Sequence, residues 1–259
     1  MRLRMDMKNG MRGIEVSIQS YQKRCFREYK SSIGLPEKYH YIYGNPINVQ
    51  VPIETAIHGV MIVGAYPSAK FYKIGNVTDV PLLDNDAPFS NEAYFDGSRV
   101  RRIPSGEELE QSYLIPLNIS RNQCWITDLV KVFLFKSGHV KRYQKLGEYS
   151  ITENRSRFRD FAERSLPWLD EEVKLASPRV MILLGQEITS VLIQISSKKA
   201  KDFLDGSIRT LMIGETLCHT ICLPHPGIIM KPSPKNLWPE RFENEIIPRA
   251  KLSLQGISL

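Results

Sequence analysis

The sequence predicts an α/β fold, a mostly parallel sheet with helices on both faces, and three observations carry that prediction. Val60–Val63 and Val180–Leu184 are short, continuous apolar runs, the kind that suits strands buried on both faces. Stretches with helical periodicity alternate with the strand-like runs, as parallel strands joined by crossover helices require. Three strand segments end in polar or Gly/Pro loops, after Val63, Thr127 and Leu223. A parallel sheet gathers such loops along its carboxyl edge, where α/β folds place their sites.

The chain has 259 residues, 42% hydrophobic and 24% charged, which one domain with an N-terminal extension accounts for. No apolar run approaches the ~20 residues that span a bilayer, and no signal-type apolar segment follows the basic Met1–Lys8. The expectation is a cytoplasmic or nucleoid-associated protein without a membrane partner. Cys25, Cys124, Cys218 and Cys222 lack the spacing of a zinc site or a disulfide framework and read as reduced, mostly buried thiols. The net charge of +7 fits an anionic partner such as nucleic acid.

In chain order, Ile14–Lys30 has a helical pattern with Val16, Tyr21, Cys25, Phe26 and Tyr29 roughly on one side. Gly34-Leu35-Pro36 ends it, and residues 1–44 form the helical extension. Tyr39–Ala56 reads as extended connection into the first strand, Val60–Val63. The polar stretch Tyr72–Arg102 reads as a long loop, a length that is usually functional or disordered. Ser105 ahead of Glu107 and Glu108 starts a helix to about Leu117. Trp125–Thr127 is a second strand, Gly138–Glu153 an exposed basic loop, and a long helix with a possible break at Pro167 follows. Val180–Leu184 is a third strand, and Gly185 opens a helix to about Ser196. Ile208–Ile213 and His219–Leu223 are further β segments. A basic, proline-rich loop, Lys231–Lys235, precedes a C-terminal helix from about Pro239.

Five pieces in order, Gly64-Ala65-Tyr66-Pro67, Pro88-Phe89, Ile126–Lys131, Ile182-Leu183-Leu184-Gly185 and His225-Pro226-Gly227, resemble the uracil-DNA glycosylase superfamily, most nearly its family-4 branch. The resemblance covers about residues 45–247. It implies a three-layer α/β/α sandwich around a four-stranded, mainly parallel sheet, in a domain spanning 45–259. It also implies hydrolysis of the N-glycosidic bond of a base flipped out of DNA, single- or double-stranded, by a monomer that needs no metal. Val132 stands where the iron–sulfur members of that branch place a ligand, so no cluster and no other cofactor is expected.

The resemblance assigns roles residue by residue. Gly64, Ala65 and Tyr66 line the base, with Ser68 next to the DNA. The motif's usual polar position is Tyr66, which cannot act as a carboxylate. Asp79, Asp84 or Asp86 in the following stretch could supply one, and Asp84 and Asp86 are the leading choices, although Asp-Asn-Asp also suits a plain turn. Phe89 matches the aromatic on which the base stacks, a contact worth roughly 1–3 kcal/mol. Asp128 stands in place of an asparagine that reads the base. Ionised, it only accepts hydrogen bonds; protonated by burial, it could satisfy uracil or cytosine, so the base stays open. It could equally cap a turn or pair with Lys131. His225 matches the histidine that donates to O2 of the departing base. Ile229 and Met230, with Ile228, match the wedge that fills the vacated stack, with Lys231 and Lys235 on flanking phosphates. A non-catalytic nucleic-acid-binding relative and a hydrolase acting on another nucleotide or glycoside are the alternatives.

Overall fold

A computed structural model describes residues 2–231 and 233–257, so Met1 of the extension and Pro232 of the basic loop lie outside the described residues. In chain order the elements are α1 (Arg2–Ser32), β1 (Val60–Gly64), β2 (Ala69–Ile74), β3 (Val77–Asp84), β4 (Ala93–Phe95) and β5 (Val100–Arg102). Next come α2 (Pro104–Glu108), a π-helical turn, α3 (Ile115–Leu117), β6 (Cys124–Asp128), α4 (Ser137–Gln144) and α5 (Phe158–Ala176). The remainder is β7 (Val180–Leu184), α6 (Gln186–Leu192), α7 (Ser197–Ala200), β8 (Ile208–Ile213), β9 (Thr216–Leu223), α8 (Pro226–Ile229), α9 (Trp238–Arg241) and α10 (Ile247–Leu254).

The central sheet has the order β6-β1-β7-β9-β8. The first four strands are parallel neighbours, and β8 pairs antiparallel with β9 at one edge. The sheet is thus five-stranded rather than four-stranded, the Ile208–Ile213 segment supplying the extra edge. Successive side chains of a strand point to opposite faces, and the core divides accordingly. Met61, Val63, Trp125, Met181 and Leu183 join α1 and α5 in one buried cluster. Val60, Ile62, Ile126, Ile182 and Leu184 join Leu109, Tyr113, Phe242 and Ile246 in the other. Helices cover both faces, which is the three-layer α/β/α arrangement.

Three local expectations are overturned. Tyr72–Arg102 is not a loop but two antiparallel hairpins, β2–β3 and β4–β5. They stand apart from the central sheet, and Gly75, Pro81, Pro88 and Gly97 punctuate the stretch as loop residues do, although β3 carries the apolar run Val80–Leu83 and buries Val80. Gly138–Glu153 is not an exposed loop throughout. It includes most of α4, held by buried His139 and Tyr143, and Tyr143 Oη donates to Pro81 C=O at 2.6 Å. On α1 the buried stripe is Ile18, Tyr21, Cys25 and Tyr29, spaced by three and four residues, whereas Val16 and Phe26 face solvent.

The C-terminal half of α1 closes a buried polar cluster beneath the end of β6. Lys131 Nζ contacts Glu172 Oε1 at 2.6 Å and donates to Thr127 Oγ1 at 2.7 Å. Tyr21 Oη donates to the same carboxylate at 2.6 Å. Tyr29 Oη accepts the Lys131 backbone N–H at 2.8 Å. Buried ions persist only when paired and hydrogen-bonded, and α1 supplies part of that pairing.

Candidate active site

The carboxyl edge of the sheet opens into a cavity of 680 Å³. Its floor follows from strand register. Gly64 and Asp128 are partners on β1 and β6, and the ladder continues past the strand ends, with Leu129 N–H donating to Gly64 C=O at 2.9 Å and Val130 N–H to Ala65 C=O at 3.0 Å. The two loops therefore leave the sheet together. A β-carbon on Gly64 would overlap Asp128 Oδ1 and the edge of the Phe89 ring, so glycine is what lets the three meet. Phe89 sits at φ +51°, a costly conformation for an aromatic residue. It is held there by the Ser90 N–H to Ala87 C=O turn and by Arg121 Nη2 donating to its carbonyl at 2.6 Å.

His225 follows β9 and caps the short α8. Its Nδ1 accepts the Gly227 N–H at 3.0 Å. That bond requires an unprotonated Nδ1, so the neutral ring carries its proton on Nε2. Burial lowers its pKa to about 4, helped by the positive charges of Arg155 and Lys231, so the ring is neutral at pH 7. Its centroid lies 6.1 Å from that of Phe89.

Asp128 is 1% exposed, and its Oδ1 is buried without a hydrogen-bond partner. Burial raises its pKa to about 7, against the pull of Lys131 and with a push from Glu172. Lys131 spends its ammonium on Glu172, Thr127 and the Asp128 carbonyl oxygen rather than on the Asp128 carboxylate. Near neutrality Asp128 can therefore present either an acceptor or a hydroxyl donor.

Ala65, Tyr66, Ser68, Phe89, Asp128, His225, Met230 and Lys231 all line the cavity. Asp84 and Asp86 do not. Asp84 accepts Tyr41 Oη and Asn48 N–H, both at 2.7 Å, and Asp86 accepts Lys70 Nζ at 2.7 Å. Ile229 is 7% exposed and packs into the core below α8, leaving Ile228 and Met230 on the cavity side. Lys235 is exposed but away from the cavity wall.

Sequence reasoning missed Arg155 and Glu187, which also line the cavity. Arg155 donates to Tyr66 Oη and lies 4.5 Å from the centre of that ring, fixing the side chain that occupies the motif's polar position. Glu187 is the second residue of α6, in the first turn after β7. The signal for it was available, because Gly185-Gln186-Glu187 leaves a buried strand at the same sheet edge as Gly64 and His225. Among the described residues no group of three or more His, Cys, Asp or Glu side chains is placed to hold a metal ion.

The α/β/α sandwich thus brings together, at one edge of its sheet, a glycine strand end, a buried aromatic and a neutral histidine. The family model for the uracil DNA glycosylase superfamily matches residues 56–246, and the chain belongs to that superfamily. No curated protein matches the chain. No helix among the described residues is long and apolar enough to cross a membrane.

Proposed function

We propose that this protein is a DNA glycosylase that hydrolyses the N-glycosidic bond of a flipped-out, deaminated or damaged base, acting without a cofactor, as a monomer, in the cytoplasm or on the nucleoid. The observation that carries the reading is His225. It is neutral, its tautomer is fixed by Gly227, and it faces the same cavity as Phe89 and Asp128. In this reading the base enters the open cavity beside Phe89, and its polar edge meets Asp128. Nε2–H of His225 donates to a base oxygen as the C1′–N bond breaks and the electron pair passes to the base. A preorganised donor aimed at developing charge is worth about 100- to 1000-fold in rate. Ser68, Met230 and Lys231 at the rim would contact the strand.

A second reading, a nucleic-acid-binding relative without catalysis, is favoured by one observation: Tyr66 and its bond to Arg155 fill the place where a water-holding polar residue is expected. Oligonucleotides carrying uracil, hypoxanthine or xanthine, in single and double strands, separate the two. Abasic-site formation is expected; binding that weakens with salt but leaves every base in place supports the second reading.

A further inference from the structure

Hydrolysis needs a group to orient and deprotonate water, and the motif position that should supply it is Tyr66. The carboxylates lining the cavity are Asp79, Asp128 and Glu187. Asp79 is spent on Arg101, whose Nη1 lies 2.9 Å from its Oδ1, and Asp128 occupies the base-reading end beside Phe89. Glu187 is different. Its carboxylate makes no hydrogen bond or ion pair among the described residues. It also stands beside the histidine: a β-carbon placed on Gly185 would be 3.7 Å from Glu187 Oε2 and 3.0 Å from His225 Cβ. Gly185 itself is at φ +104°, a conformation that glycine adopts freely, so the bare turn that brings Glu187 to His225 is built into the backbone. Arg155, pinned on Tyr66, lies within electrostatic reach of Glu187.

We infer that Glu187 is the catalytic carboxylate that positions the attacking water, taking the place left by Tyr66. This rests on the glycosylase reading. The water oxygen bonds to C1′ while the C1′–N bond breaks, its electron pair leaves with the base, and one water proton passes to the Glu187 carboxylate. His225 holds the base anion until that proton, or one from solvent, neutralises it. The Glu187 carboxylate also faces the positive charge that develops on the sugar, an interaction absent in the ground state.

The test is single-turnover kinetics of wild type, Glu187→Gln and Glu187→Asp, with affinity for the same DNA measured separately. The probe is a labelled oligonucleotide carrying deoxyuridine, deoxyinosine or deoxyxanthosine. Glu187→Gln is near-isosteric at a partly exposed position, and its thermal melt provides the folding control. The inference expects at least a 100-fold slower chemical step for Glu187→Gln, partial recovery in Glu187→Asp, and affinity within about threefold of wild type. A wild type that excises a base while Glu187→Gln keeps its rate within about threefold overturns the assignment of Glu187 but leaves the glycosylase reading standing. Tighter DNA binding by Glu187→Gln at an unchanged rate also overturns it, since Glu187 would then only repel phosphates. A wild type inactive on every base overturns both.

Discussion

Gly64 and Asp128 face each other in register on adjacent parallel strands, and the volume that a side chain at Gly64 would need is already taken by Asp128 Oδ1 and the Phe89 ring. This end of the cavity is therefore shaped by the absence of a side chain at Gly64. Gly64→Ala must displace Asp128 or Phe89, and overpacking of this kind costs typically 1–3 kcal/mol. The expected result is a lower denaturant midpoint with an unchanged slope, together with loss of base excision. Full excision by Gly64→Ala would mean that Phe89 and Asp128 do not share a substrate.

Asp128→Asn makes two predictions with one substitution. The amide both accepts and donates, so preference should move toward uracil, which offers N3–H and O4 together. Stability should change with pH in a defined sense. Asp128 has a folded pKa of about 7 against an ordinary value of 3.8. Between those values the folded state holds the proton more tightly, so the carboxyl costs nothing below about pH 4 and its burial penalty is complete above pH 7. Asparagine should raise stability at pH 8 by a few kcal/mol, at about 1.4 kcal/mol for each pH unit of displacement. The gain should vanish near pH 4. Equal melting shifts at pH 4 and pH 8 would remove Asp128 as the source.

What the sequence made legible follows burial. The parallel strands are apolar on both faces because helices cover both, so Val60–Val63 and Val180–Leu184 stood out as runs. Edge strand β8 alternates exposed and half-buried positions, and was readable as β but not as a fifth member of the sheet. The hairpins β2–β3 and β4–β5 escaped because Gly75, Pro81, Pro88 and Gly97 read as loop punctuation, although β3 carries the apolar run Val80–Leu83. Of the site, His225, Phe89 and Asp128 were found through motif order, and they converge on one cavity. Asp84 and Asp86 were chosen for being acidic and nearby in sequence. Their partners, Tyr41 and Lys70, lie on other segments, and only the fold reveals that these carboxylates are occupied. Glu172 is a similar case, a fully buried acid whose partners, Tyr21 on α1, Thr127 at the end of β6 and Lys131 just beyond it, lie far away in the chain.

Glu172 and Lys131 therefore predict a strong asymmetry. Glu172→Gln leaves the Lys131 ammonium, 1% exposed, without its counter-charge and should cost about 3–5 kcal/mol. Replacing both residues by apolar ones of similar volume should cost much less, because neither charge is then stranded. Thermal or urea melts of Glu172→Leu, Lys131→Leu and the double variant give the coupling directly. Additive losses would show that the pair is not a unit.

His225 predicts both a rate and a stability profile. With Nδ1 occupied by the Gly227 N–H, the ring's proton sits on Nε2, and the proposed reaction uses it as the donor to the leaving base. His225→Ala should lower the single-turnover rate about 100- to 1000-fold and leave DNA affinity nearly unchanged, because the donor matters most once charge has moved onto the base. The stability profile runs opposite in sign to that of Asp128. The folded pKa is about 4 and the ordinary value 6.5, so between these pH values the unfolded chain binds the proton more readily. Stability contributed by keeping the ring neutral is whole above pH 6.5 and is lost as pH falls toward 4. His139, lowered to about 3 by burial, adds a loss of the same sign. Melts of wild type and His225→Ala from pH 8 to pH 4 should show a shallower acid decline in the variant. His225→Gln, which restores an N–H donor without a titrating ring, should show the same shallow decline while recovering part of the rate. A variant series in which rate and acid stability both ignore residue 225 would place the leaving-group donor elsewhere in the cavity.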